Sequence, residues 1–487
     1  MEREAAVPHV LIFPFPAQGH MNSMLKLAEL LCPADMYITF LNSDHNHQRL
    51  LRFTDAEARF SHWPKFRFES ITDGLPDDGH CSAESTFEMF NTLESITRPL
   101  FRDLVISLSH PQQEIPPLSC IIADGIIPFV IDVAEELNIP IISFRTISAC
   151  SFWAYFCIPK LIAAGELPFQ GDMDVPIKSV PGMEGFLRRR DLPSFCRAEE
   201  LNDHVFQTVL SATQETTRAS ALILNSFEDL EGPILSEIRS RLPKLYAIGP
   251  LHAHSKTRLL EQSLLSSLSA NSLWEVDRSC MKWLDSQPPK SVVYVSFGSL
   301  AVVGRETLLE FWYGLVRSGI PFLWVVRSDS VTGGNVNEEI PGELVEATTE
   351  RGCLVGWAPQ EEVLAHPAVG GFLTHSGWNS TLESIYTGVP MICWPYFADQ
   401  QINSRFVSEV WRVGVDMKDT CDRGTVEKMV KEVMERREEL MGSVDRLAKL
   451  ARSCVSQGGS SRSNMDRLIK DIRSMARSSP KLHPKKK

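Results

Sequence analysis

The chain has 487 residues, 43% hydrophobic and 23% charged, with a formal net charge of −12. That length exceeds what one hydrophobic core organises and predicts two domains of roughly 200 residues or more, while the composition is that of a folded protein rather than a disordered one. The negative balance, with no broad basic stretch, excludes a nucleic-acid backbone as partner.

Met1 to His20 has an acidic leader and an apolar run interrupted by Pro14 and Pro16, which reads as a first strand and not a signal peptide. No window of 18 apolar residues lacks charges, so no membrane span is expected. The eleven cysteines have no CxxC pair or zinc-ligand spacing and are expected to be reduced, mostly buried small hydrophobes in a cytoplasmic protein. RRR at 188–190 and KKK at 485–487 read as a solvated loop and a frayed tail.

Short apolar runs then recur with helical stretches between them: HVLIF, YITFL, CIIAD, PIISF and ALILN before residue 230, then VVYVSF, FLWVV, CLVGW, VGGFLTH and MICW after 290. Continuous rather than alternating apolar strands, separated by helices, predict α/β architecture with two parallel sheets covered on both faces. YAIGPL closes the first half, so residues 1–250 are expected to form the first domain. The serine-rich 251–277 is read as an exposed interdomain linker and 278–460 as the second domain.

Ligands of open parallel sheets bind beyond the carboxyl ends of strands. Four places qualify: QGH after the first strand, AD after CII, FGS after VVYVS, and HSGWNS after GGFLT. The last is a strand, a glycine turn and a helix start, whose free N–H groups and dipole suit a phosphate. Ser380 to Glu383 also matches a capping box, and Gly388 with Pro390 marks the helix end. GxGxxG after the first strand, GxxxxGK[ST] and GxSxG are all missing, which argues against a dinucleotide dehydrogenase, a P-loop enzyme and an α/β-hydrolase. His366 and His375 share no metal-ligand spacing, and no metal is expected.

His20 alone reads either as a satisfied polar residue or as a base. Asp124 ends a buried strand, where a carboxylate needs a partner. If the two strands are neighbours, Asp124 can orient the His20 imidazole and leave its other nitrogen to take a proton.

With these residues in view, the sequence resembles the plant UDP-sugar-dependent glycosyltransferases of small molecules. Trp357 to Gln400 matches their 44-residue donor-binding signature without a gap, and the likeness extends through PFPAQGHMNSMLKLA and CMKWLDSQPPKSVVYVSFGS. The resemblance implies the glycosyltransferase B fold, two Rossmann-like domains facing a cleft, with residues 461–487 holding a C-terminal helix that returns to the first domain plus a basic tail. It implies UDP-glucose as co-substrate, no cofactor or metal, a small lipophilic acceptor, and a monomer.

Carried over by position, Trp357 stacks on uracil, Ala358 reads its edge through the backbone, and Gln360 and Glu383 hold the ribose. His375, Gly377, Asn379, Ser380 and Ser299 surround the phosphates. Trp378 (through its backbone), Asp399, Gln400 and Thr146 reach the sugar. His20 becomes the catalytic base and Asp124 its partner, with an inverted, β-linked product. Gln400 and Trp378 stand where galactose- and glucuronate-using relatives carry histidine and arginine respectively, which points to UDP-glucose. One departure is Ser23, where the family usually has proline; serine there is read as a helix cap.

FRTISACSFWAYFCIPKLIAAGELPF, PGMEGFLRRRDLPSFC and NSFEDLEGPILSEIR are most similar to iridoid glucosyltransferases acting on 7-deoxyloganetic acid. Other terpenoid or phenolic acceptors, and a non-catalytic UDP-sugar-binding protein, are the alternatives. Arg145 follows the PIISF strand and needs an anion, either a protein carboxylate or that of an acid acceptor. Phe15, Phe152 and Trp153 are expected to line the apolar remainder of that pocket.

Overall fold

Seven strands of the first half pair in parallel: β1 His9–Phe13, β2 Tyr37–Ser43, β3 Phe66–Ile71, β4 Cys120–Asp124, β5 Ile141–Arg145, β6 Ala221–Leu224 and β7 Leu245–Ala247. Their order is β3-β2-β1-β4-β5-β6-β7. A second parallel sheet of six takes β8 Val292–Ser296, β10 Phe322–Val325, β12 Gly352–Val355, β13 Val369–Thr374, β14 Met391–Cys393 and β15 Gly414–Asp416 in the order β12-β10-β8-β13-β14-β15. Among the described residues the short β9 Val303–Gly304 and β11 Val331–Thr332 pair only with each other. This computed structural model describes residues 7–74, 89–110, 115–127, 129–198, 200–261, 271–332 and 341–478.

Every residue of β1, β4, β5, β8 and β13 is buried, as expected for strands covered by helices on both faces. In the first sheet the chain runs outward from β1 through β2 to β3, then returns to place β4 on the other side of β1, with Phe13 level with Ala123. Connections leaving β1 and β4 therefore diverge and open a crevice at their carboxyl ends. The second sheet does the same between β8 and β13.

Three sequence expectations are corrected here. β3 is absent from the apolar runs because it is an edge strand, FRFESI, half-buried along most of its length. The start of the supposed exposed linker is a helix, Leu251–Glu261, with Leu251, Ala253, His254 and Ser255 buried. It packs on the helix Gln18–Leu31, where the Ser255 hydroxyl donates to Glu29 Oε2 at 2.6 Å. Nor is the RRR run merely a solvated loop. Arg188 donates to the fully buried Asp191 and to Asp174. Asp191 also faces Arg405 Nε at 3.4 Å and Lys418 Nζ at 2.9 Å from the second half.

The helix Ser460–Ser478 returns to the first sheet. Met465, Leu468, Ile469 and Ile472 join the core around Ile223 and Tyr246. Asn464 Nδ2 donates to Ala247 O at 2.9 Å, and Arg473 Nη2 to Ala34 O at 3.0 Å.

Candidate active site

The loop after β1 leads into the helix Gln18–Leu31, which carries His20 in its first turn. His20 Nδ1 donates to Asp124 Oδ2 at 2.6 Å, and Thr146 Oγ1, just beyond β5, lies 2.9 Å from the same nitrogen. The carboxylate fixes the proton on Nδ1 and leaves the Nε2 lone pair available. Asp124 is 1% exposed and His20 26%, so the carboxylate is sequestered while the imidazole reaches the cleft. Phe15 packs on the His20 ring with centroids 5.3 Å apart.

Facing this pair is the helix Trp378–Thr387, whose N-cap is Gly377. The capping-box expectation is corrected: the helix starts two residues before Ser380, with no side-chain cap, and its first turn of N–H groups opens toward the cleft. Gly388 ends the helix in the left-handed region, φ 80°. Behind its mouth the half-buried His375 is held neutral, its pKa lowered to about 4 by desolvation. A Cβ on Gly298 or Gly377 would come within 2.5 Å of His375 Nε2 or closer, so this packing requires glycine at both positions.

Gln360 links the other carried-over residues. Its Nε2 donates to Ser380 Oγ at 2.9 Å and Glu383 Oε2 at 2.7 Å, while Tyr294 OH donates to its Oε1 at 3.2 Å. Burial, followed by the nearby charge of Glu361, pushes the Glu383 carboxyl up to about 8. Burial likewise raises Asp399 to about 6. Asn403 Nδ2 donates to Asp399 Oδ2 at 2.7 Å. Gln400 Oε1 accepts from the backbone N–H groups of Tyr396 and Phe397 at 2.8 and 3.0 Å, which commits its oxygen and fixes the amide orientation. Ser299, Trp357, Ala358, Gly377, Trp378 and Asn379 line the same cleft as His20 and Thr146.

The acceptor-side expectations fare differently. Phe15, Phe152 and Trp153 are buried, and none lines the described cleft. Phe152 and Trp153 belong to the core, with Trp153 Nε1 donating to Pro181 O at 2.8 Å. Arg145 is 2% exposed and lies over Phe152 at 5.8 Å. Its Nη1 donates to Gly125 O at 2.7 Å, and among the described residues no carboxylate forms an ion pair with it.

Ser23 is not a cap, since Ala17 holds that place and Ser23 is a buried residue within the helix. Its Oγ lies 3.0 Å from Gly19 O and 2.9 Å from Asn379 Oδ1, across the cleft. Asn225, absent from the sequence-level site, accepts from Trp378 Nε1 through its backbone oxygen at 2.7 Å. No local pattern announces such a contact; only the third dimension brings these segments together.

Two parallel sheets opening on one cleft, a histidine–aspartate pair on one wall and an amide-rich helix mouth on the other define a nucleotide-sugar glycosyltransferase. The family model described as UDP-glucoronosyl and UDP-glucosyl transferase matches residues 196–450, and the chain belongs to that family. It is 57% identical over 471 residues to 7-deoxyloganetic acid glucosyltransferase of Catharanthus roseus, covering 96% of this chain and 98% of the relative. Identity to myricetin 3-O-rhamnoside 1,2-glucosyltransferase of Crocosmia x crocosmiiflora is 46%, with 98% of each chain covered. Among solved structures, Os79 from O. sativa in complex with UDP superposes with a TM-score of 0.80 at 30% identity, covering 95% of this chain and all of that one. The chain is a UDP-glycosyltransferase of the glycosyltransferase B fold.

Proposed function

We propose that the enzyme transfers glucose from UDP-glucose, with inversion, to the hemiacetal hydroxyl of 7-deoxyloganetic acid. The observation that carries the chemistry is the 2.6 Å bond from His20 Nδ1 to Asp124 Oδ2 at the cleft wall opposite the donor signature. His20 Nε2 takes the acceptor's hydroxyl proton as that oxygen forms a bond to the anomeric carbon from the face opposite UDP. The bond between the anomeric carbon and the diphosphate oxygen breaks, and its electron pair leaves with UDP. Asp124 stabilises the imidazolium. The product is a β-glucoside.

On the donor side, the first-turn N–H groups of Trp378–Thr387 meet the developing charge on the diphosphate. Trp357 stacks on the uracil, and Glu383, as a carboxylate, accepts from the two ribose hydroxyls. Asp399 and the Gln400 amide hold the glucose hydroxyls.

The acid acceptor is supported by the 57% identity to the Catharanthus roseus enzyme and by Arg145. Among the described residues its direct partners are Gly125 O and the Phe152 ring, with the charges of Asp124 and Asp399 acting at longer range, and a planar acceptor carboxylate is the anion a guanidinium fits. An assay with UDP-glucose and iridoid, monoterpenoid and flavonoid aglycones, read by mass spectrometry, tests this reading. The expected outcome is glucosylation of 7-deoxyloganetic acid in preference to the rest; turnover of the flavonoids with none of the acid contradicts it.

A further inference from the structure

The segment from Asn271 to Asp277 lies in what the sequence presents as a spacer, yet both halves of the molecule grip it. Gln18, two residues before His20, brackets it: Gln18 Nε2 donates to Asn271 O and Leu273 N donates to Gln18 Oε1, both at 2.8 Å. Arg49 Nε donates to Leu273 O at 2.7 Å, and the Arg59 guanidinium donates to the Asn271 side-chain oxygen. Leu273, 2% exposed, is inserted into the core of the first half.

On the other side, Trp274 stacks on Trp357 with centroids 4.7 Å apart and planes at 23°. The guanidinium groups of Arg49 and Arg327, one from each half, lie 5.0 and 5.6 Å from the Trp274 ring. Asp277 N donates to Trp357 O at 2.8 Å, so the segment holds both the backbone and the ring of that tryptophan. Asn271, Ser272 and Trp357 line the donor cleft, but Trp274 does not. Trp274 thus stacks on one face of Trp357 without being among the residues that line the cleft.

We propose that Asn271–Asp277 is part of the nucleotide site and that Trp274 is a positioning residue for the base, fixing the Trp357 indole at the angle the uracil meets. This rests on the reading that Trp357 stacks on uracil. An indole held on one face by another aromatic ring, itself held by two guanidinium groups, has lost most of its freedom before the nucleotide arrives. Pre-ordering of that kind lowers the entropic cost of binding.

The test is calorimetric titration of the full-length enzyme and its Trp274→Ala, Trp274→Phe and Trp357→Ala variants with UDP and with uridine, alongside steady-state kinetics and far-UV circular dichroism. Trp274→Ala is expected to weaken both ligands by about three- to tenfold, the usual range for one aromatic pair. The donor KM should rise in step while the acceptor KM stays unchanged, and Trp274→Phe should recover most of the loss. The exciton signal of the indole pair should vanish in all three variants. Tighter UDP binding by Trp274→Ala would mean that the ring blocks the base, and unchanged binding that it does not position Trp357; either overturns the inference. If Trp357→Ala also binds UDP normally, the stacking role of Trp357 itself has failed, which separates the two outcomes. Should Trp274→Ala not fold, Trp274→Phe decides: a loss of UDP affinity equal to that of Trp357→Ala counts against the proposal.

Discussion

Asn379 donates its side-chain amide to the carbonyl of Gly19, the residue preceding His20, at 2.9 Å, and accepts from Ser23 Oγ at the same distance. The mouth of the helix Trp378–Thr387 and the turn that presents His20 are thereby one hydrogen-bonded unit. Asn379→Ala removes both contacts, each worth about 1 kcal/mol. It is expected to lower kcat/KM by about tenfold or more while leaving the thermal midpoint near the wild-type value. Initial-rate kinetics with UDP-glucose check this; an unchanged kcat/KM contradicts the coupling.

A pH dependence follows from Glu383. Desolvation raises its pKa to about 8 in the ligand-free protein, so the proposed role, accepting from both ribose hydroxyls as a carboxylate, requires the carboxyl to lose a proton near neutral pH. UDP affinity should therefore rise from pH 7 toward 8, by at most about tenfold per unit, and level off above. Glu383→Gln should bind more weakly and lose the slope. Calorimetry in buffers of different ionisation enthalpy would show proton release on binding to the wild type only; release of the same size by Glu383→Gln would assign the proton elsewhere.

Arg145 gives the sharpest acceptor test. Arg145→Ala should weaken use of 7-deoxyloganetic acid by roughly 1.5–3 kcal/mol in kcat/KM, the usual worth of a hydrogen bond to a charged group, and leave its neutral methyl ester almost unaffected. Equal losses for acid and ester would make Arg145 a purely structural residue.

Asp191 is expected to control stability rather than chemistry. It is fully buried and holds Arg188 and Lys418, and its pKa is lowered because these partners outweigh the cost of burial. Asp191→Ala leaves Lys418 buried beside Asp416 without this contact, a loss of about 3–5 kcal/mol by analogy with other broken buried pairs. Denaturant unfolding would show it as a shifted midpoint.

What was legible in the sequence follows from what is local. His20 and Asp124 stand out because polar residues directly after buried apolar strands require a reason, and the order of the first sheet supplies it by making β1 and β4 neighbours. β3 was missed because an edge strand alternates rather than running apolar throughout. The buried face of Leu251–Glu261 includes Ala253, His254 and Ser255, small or polar residues that resemble a loop until Glu29 is seen to accept from Ser255. Ser23 was conspicuous as a departure, but its partner lies 356 positions away, and local capping rules cannot reach it. Glu383, which the family signature implies as a donor residue, lines the cleft, whereas its raised pKa depends on burial and on Glu361, which only the fold reveals.

The central claim is that His20, oriented by Asp124, deprotonates the acceptor. Parallel measurement of kcat and of UDP affinity for His20→Ala tests it most directly: turnover should fall by about 100-fold or more, the usual contribution of a positioned general base, with UDP binding unchanged, and Asp124→Asn should show a smaller loss of the same kind. Near-full turnover by His20→Ala would contradict the mechanism.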